Sequence, residues 1–156
     1  MTPVERVVAE MVNRAGWQSL PARRDMPQAL RERLPADLRA FNELCGGIRT
    51  AQGLAIAADV RHAQRAVLGQ EHPDDRSFHW YVIAEDGTAG TAARAVIDFH
   101  PARLGRCYDG FWDSFGVAGS MAVIAASFTE LLTRILEADG AAYWPAPALD
   151  LGDAYD

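Results

Sequence analysis

Apolar positions recur along this chain with two different periods, and the change of period divides it. Val4, Val7, Val8, Met11 and Val12 fall every three or four residues, the spacing of one helix face. Thr2 precedes Glu5 by three residues with Pro3 between them. That is a capping box with proline at the first helical position, so a helix starts there and is expected to stop near Ala15–Gly16. Trp17 to Asp25 reads as irregular, broken by Pro21. Pro27 opens a short helix through Arg33. Pro35 opens another, in which Leu38, Phe41 and Cys45 share a face with Leu44 beside them. Gly46–Gly47 end it, because glycine takes the left-handed cap conformation at little cost.

Beyond Gly47 the helical period gives way to short apolar runs. Leu54 to Ala58 predicts a strand, and residues 59 to 77 a helix fragment and a loop. Phe78 to Ala84 is aromatic and β-branched, as strands are. Asp86–Gly87 turns the chain, and Arg94 to Phe99 returns as the second arm of an antiparallel hairpin. Leu104 to Phe111 predicts a third strand, and Met121 to Ile124 is a short apolar segment. Ser127 and Glu130 repeat the capping-box spacing. Phe128, Leu131, Leu132, Ile135 and Leu136 form the apolar stripe of a core helix that Gly140 ends. Pro145 and Pro147 close regular structure, and no internal repeat or linker divides the chain. Strands and helices are segregated, which predicts an α+β fold, an antiparallel sheet with helices packed on one face.

Length and composition set the limits. A chain of 156 residues is about one domain and buries on the order of 70% of its unfolded surface, so it folds without a metal or disulfide framework. With 49% hydrophobic residues and a net charge of -6 it is not a disordered chain. No run of eighteen apolar residues exists to span a membrane, and the N-terminus lacks the apolar core of a signal peptide, so a cytoplasmic location is expected. All fifteen basic residues are arginine, which excludes Schiff-base, P-loop and protein-kinase chemistry that needs lysine. Two cysteines, Cys45 and Cys107, with no CxxC, cannot build a zinc site from cysteine pairs.

Charge is unevenly placed. Residues 1 to 108 balance at +1, whereas residues 109 to 156 carry Arg134 against Asp109, Asp113, Glu130, Glu137, Asp139, Asp150, Asp153 and Asp156, a balance of −7. An acidic end argues against a nucleic-acid surface. It suits a basic protein partner, or serves only to keep the chain soluble.

The order of these pieces resembles a known family. Leu34-Pro-Ala-Asp-Leu-Arg-Ala-Phe41 followed by Cys45-Gly-Gly47 is similar to the start of the SMI1/KNR4 family, the SUKH superfamily. Trp80-Tyr-Val-Ile-Ala-Glu-Asp-Gly87 resembles its central hairpin. Leu104 to Asp113 and Ile124 to Leu132 resemble its later strands and closing helix, and Tyr143–Trp144 and Leu151 to Asp156 resemble the ends of one bacterial branch. The resemblance covers residues 34 to 156 of a single domain spanning 1 to 156. Pro145-Ala-Pro147 departs from the aromatic run expected after Trp144. The resemblance implies an α+β fold with helices packed around an antiparallel sheet. It also implies a non-enzymatic binding role, either an immunity protein that neutralises a cognate toxin of a bacterial polymorphic toxin system, or a regulatory adaptor for a cellular partner. It assigns no catalytic or binding residue, no metal and no cofactor.

The residues themselves offer a few chemical constellations. His72-Pro73-Asp74-Asp75 holds potential metal ligands in a loop, but the spacing matches no standard site, and a solvated turn explains it. His79 and His100 bracket the hairpin and are expected to lie near each other. Cys107 with His100 and Asp109 offers a nucleophile, base and orienting acid, set against a buried structural cysteine. Ser120 after Gly119 lacks the glycine that would make a nucleophile elbow. Tyr108, Asp109, Phe111, Trp112 and Asp113 interleave aromatics with acids. They either form an interface patch or let Tyr108 and Trp112 fill the core beside the closing helix, leaving Asp109 and Asp113 exposed. As a partner surface, the nominated residues are Tyr108, Asp109, Trp112, Asp113, Asp150 and Asp153, facing a toxin domain with a basic surface. No nucleic acid, membrane or cofactor is expected.

Overall fold

The computed structural model describes residues 1–22, 25–86, 93–145 and 151–156. In chain order the elements are α1 (Pro3–Val12), β1 (Gln18–Ser19), α2 (Gln28–Arg31), α3 (Ala36–Leu44), β2 (Ile48–Arg49), β3 (Leu54–His62), α4 (Ala63–Leu68), β4 (Trp80–Asp86), β5 (Arg94–Asp98), β6 (Cys107–Asp109), β7 (Val123–Ala125) and α5 (Phe128–Glu137). The seven strands form one antiparallel sheet in the order β1 to β7, each beside its successor. The fold class is α+β.

The local signals explain most of these elements. The Thr2 hydroxyl accepts from the Glu5 amide at 3.3 Å, and the Glu5 carboxylate takes the Thr2 amide at 2.7 Å, which satisfies two of the free donors at the start of α1. The helix itself stops at Val12, and a turn carries the chain to Gly16. At α5 the Ser127 hydroxyl accepts from the Glu130 amide at 3.1 Å, but the Glu130 carboxylate takes the amide of Ala126, one residue earlier than a full capping box requires. Gly47 is needed for close approach: a Cβ there would meet the Ala58 backbone at 2.8 Å.

Several strand boundaries shift. The strand expected to end at Ala58 runs on to His62 through a bulge between Ile56 and Arg61, so its polar second half reads as loop in sequence. The aromatic run begins its strand at Trp80, because Arg76–His79 form a 3₁₀ turn capped by Asp75. The strand expected over 104–111 shrinks to Cys107–Asp109, between a 3₁₀ turn at Pro101–Arg103 and Gly110, whose Cα lies against Val96.

The sheet has two covered faces, which corrects the expectation that the helices share one. Val4, Val8 and Met11 of α1, Leu38 and Phe41 of α3, and the stripe of α5 pack with Ile56, Ile83, Ile97, Cys107 and Ile124 into the main core. A second, smaller core lies on the opposite face. There Ala63 and Val67 of α4 join Trp80, Val82, Val96, Tyr108, Phe115, Met121, Val123, Ala154 and Tyr155. Loops and the C-terminal segment, rather than long helices, cover that face.

Candidate functional site

The acid-and-aromatic run after β6 is built over this second core. Tyr108 points into it and is fully buried, with its hydroxyl donating to Asp98 Oδ2 at 2.7 Å. Asp98 is also fully buried. It accepts from the Trp80 indole at 3.2 Å, Arg103 Nε at 2.9 Å and the His100 amide at 2.9 Å. Burial, together with the hydrogen bond to Asp98, pushes the Tyr108 phenol well above its ordinary value. Tyr108 therefore presents no surface to a partner. It fills the core, on the face opposite the closing helix rather than beside it.

The next residues turn outward. Gly110 donates to the Arg94 carbonyl at 2.7 Å and ends the strand, so the in–out alternation stops there. Phe111 and Trp112 stand 38% and 59% exposed, with ring centroids 5.9 Å apart. Asp113 is exposed, and Val117 is 51% exposed. Phe115 turns back under the loop and packs its edge on Trp80 at 5.8 Å. Trp112 thus does not fill the core. Asp109, expected to be exposed, is half-buried; burial raises its carboxyl, although it accepts the Phe111 amide at 3.1 Å.

The C-terminal segment joins the same surface. Ala122 and Asp153 form a bridge beside β7, and the Ala154 amide donates to the Met121 carbonyl at 2.8 Å. The Asp153 carboxylate accepts from the Met121 amide at 2.8 Å and the Tyr155 amide at 3.1 Å. The Tyr155 hydroxyl donates to Asp75 at 2.7 Å, and Arg76 donates to the carbonyls of Ala154 and Asp156, both at 3.0 Å. Asp153 therefore anchors this segment as well as charging it. Asp150 lies outside the described residues.

Asp75 also accepts the amide and hydroxyl of Ser77, and these hydrogen bonds outweigh its burial and lower its carboxyl. Asp75 thereby stands beside the C-terminal segment, and Glu71 and Asp74 line the same surface groove as Asp75. In sequence Asp74 and Asp75 read as part of a solvated turn, and nothing in their spacing reveals which face the loop folds over.

The catalytic alternatives do not assemble. Cys107 is fully buried on the helix-covered face. Burial, and then the carboxylates of Asp37, Glu130 and Asp98, raise its thiol well above its ordinary value, the reverse of an activated nucleophile. Its S–H donates to the Gly105 carbonyl at 3.4 Å. The His100 ring accepts the Ala102 amide at Nδ1 and stands edge-on to His79, centroids 4.8 Å apart, so those two histidines meet as expected. Cys45 caps α3, and burial raises its thiol. Ser120 is exposed in a turn. Among the described residues no group of three His, Cys, Asp or Glu side chains could hold a metal ion, and no helix is long and apolar enough to cross a membrane.

No family model matches the chain, and no solved structure matches it. A curated relative does: the chain is 35% identical over 134 residues to immunity protein YokJ of Bacillus subtilis (strain 168), across 81% of this chain and 79% of that protein. At that identity and coverage, the chain belongs to the family of immunity protein YokJ.

Proposed function

We propose that this protein is an immunity protein: a non-enzymatic module that binds and neutralises a cognate toxin of a bacterial polymorphic toxin system, in the cytoplasm. We also assign it to the SMI1/KNR4 (SUKH) fold, on the order of its motifs. The observation that carries the functional reading is the kinship with a protein named for immunity. The exposed aromatic and acidic surface beyond β6 supports it, because an exposed tryptophan ringed by polar groups is the usual anchor of a protein interface. Trp112 and Phe111 supply the apolar contact. Asp113, Asp150 and Asp153 supply negative potential that speeds encounter with a basic toxin surface, and Asp109 lies at its edge. Neutralisation is then occlusion of the toxin's working surface.

The test is to find a toxin domain encoded beside this gene and to co-express the two. Growth rescue by the wild type, with a one-to-one complex in solution, is expected. Binding that is unchanged by ~0.5 M salt, or by neutralising Asp113 and Asp153 together, would remove the electrostatic part. Failure to bind or rescue would remove the immunity reading itself.

A further inference from the structure

An open groove of about 550 Å³ runs between the loop after α4 and the loop after β6. Ser77 and Phe115 are buried at its inner side, Leu68 stands 43% exposed at its rim, and Gly116 forms part of the wall. Glu71, Asp74 and Asp75 line it, and no arginine is among the lining residues.

The loop is held in shape. Gln64 is fully buried, donates to the His72 carbonyl at 3.0 Å and to the Ser77 hydroxyl at 2.7 Å, and accepts the His72 amide at 2.9 Å. Asp75 ties the far end of the loop to Tyr155. An internal amide that brackets a surface loop in this way removes the ordering cost a partner would otherwise meet.

The three carboxylates differ in availability. Asp75 is occupied by three donors. Glu71 pairs with Arg65 at 2.8 Å in an exposed bridge, which is easily exchanged. Asp74 makes no ion pair among the described residues and is exposed. The groove therefore offers one open carboxylate and one exchangeable one, beside an aliphatic rim formed by Leu68.

We propose that this groove is the docking socket for an extended segment of the toxin in which an arginine or lysine sits beside an aliphatic residue. The proposal rests on the immunity reading for the identity of the partner and on charge complementarity for its chemistry. It moves part of the binding surface away from the chain's acidic last third, onto residues 68 to 75.

Two measurements separate the proposal from the reading beneath it. The first is an NMR titration of the labelled full chain with the peptide acetyl-Leu-Arg-Ile-Arg-Leu-amide, beside a control with glutamate in place of each arginine. Saturable shifts at the amides of 68–77 and 115–117 are expected with the arginine peptide alone. They should weaken by about tenfold in Asp74→Arg, an exposed position where the fold is unaffected. Shifts scattered elsewhere, no shifts, or equal response to the glutamate peptide would overturn the socket. The second is calorimetry of the toxin domain against the wild type and an Asp74→Arg/Leu68→Arg variant. A loss of about tenfold or more in the variant supports the proposal. Equal affinity overturns the socket and leaves the immunity reading intact. A toxin that binds neither protein overturns the immunity reading, and the peptide titration still decides the socket.

Discussion

Tyr108 and Trp112 lie four residues apart in one aromatic and acidic run, yet they have opposite roles. Tyr108 is one of four donors around the buried Asp98 carboxylate. Removing its hydroxyl leaves a buried charge one donor short, so Tyr108→Phe is expected to lower unfolding free energy by about 1–2 kcal/mol in urea titration. Asp98→Ala strands the indole, phenol and guanidinium together and is expected to cost about 3–5 kcal/mol. Trp112→Ala should leave the same urea curve within about 0.5 kcal/mol, because its ring is mostly in water, while weakening toxin binding by about 2 kcal/mol in calorimetry. The sequence could show the run but not this division. Alternation sorts side chains only while a strand continues, and Gly110 ends the strand against Val96. A third residue sets the response to acid. Burial, then the neighbouring His100, and also Arg33 and Arg103, hold the His79 imidazole below its usual value, with Asp98 opposing. The folded chain thus binds its proton less readily than the unfolded chain. His79 contributes no penalty above the ordinary histidine value of about 6.5, and stability declines as pH falls through it. The urea midpoint is expected to be lower at a pH of about 5.5 than at about 7.5, and His79→Gln should narrow that gap.

The elements that announced themselves were those with two local signals in agreement. α1 and α5 each had a cap and a stripe, and the hairpin of β4 and β5 had a β-branched run on either side of a turn. What stayed hidden was two-residue pairing. β1 and β2 are too short to display alternation, and the close approach of Gly47, beside β2, to Ala58 leaves no local pattern. Gly140 shows the same limit. Its place after the α5 stripe marks a helix stop. Its packing is a long-range matter: φ is +89°, and an added Cβ would collide with Gln52 and lie 2.7 Å from the Trp17 ring. Its carbonyl also accepts the buried Thr50 hydroxyl at 2.7 Å. Gly140→Ala is therefore expected to cost about 2–3 kcal/mol, far more than a glycine at a free helix end, as read by thermal or urea unfolding.

For the whole molecule, the charge asymmetry was visible in the sequence, but its address was not. The acidic C-terminal segment lies on the smaller core and is tied there by Arg76, Asp75 and Asp153, so it brings its carboxylates beside those of the loop after α4. Which loops share a face depends on how the strands are threaded, and no local pattern encodes that. The strictly sequential threading of β1 to β7 also sets an order of events. Each strand can zip onto the one synthesised just before it, across short closures, whereas α1 must wait for α5, which it packs against from the other end of the chain. Contacts made last belong to the unfolding barrier. In stopped-flow experiments Val8→Ala, in α1, is expected to speed unfolding and leave refolding nearly unchanged, while Ile97→Val, in the central hairpin, should slow refolding. The reverse pattern would mean that the chain closes its ends first and fills in the sheet afterwards.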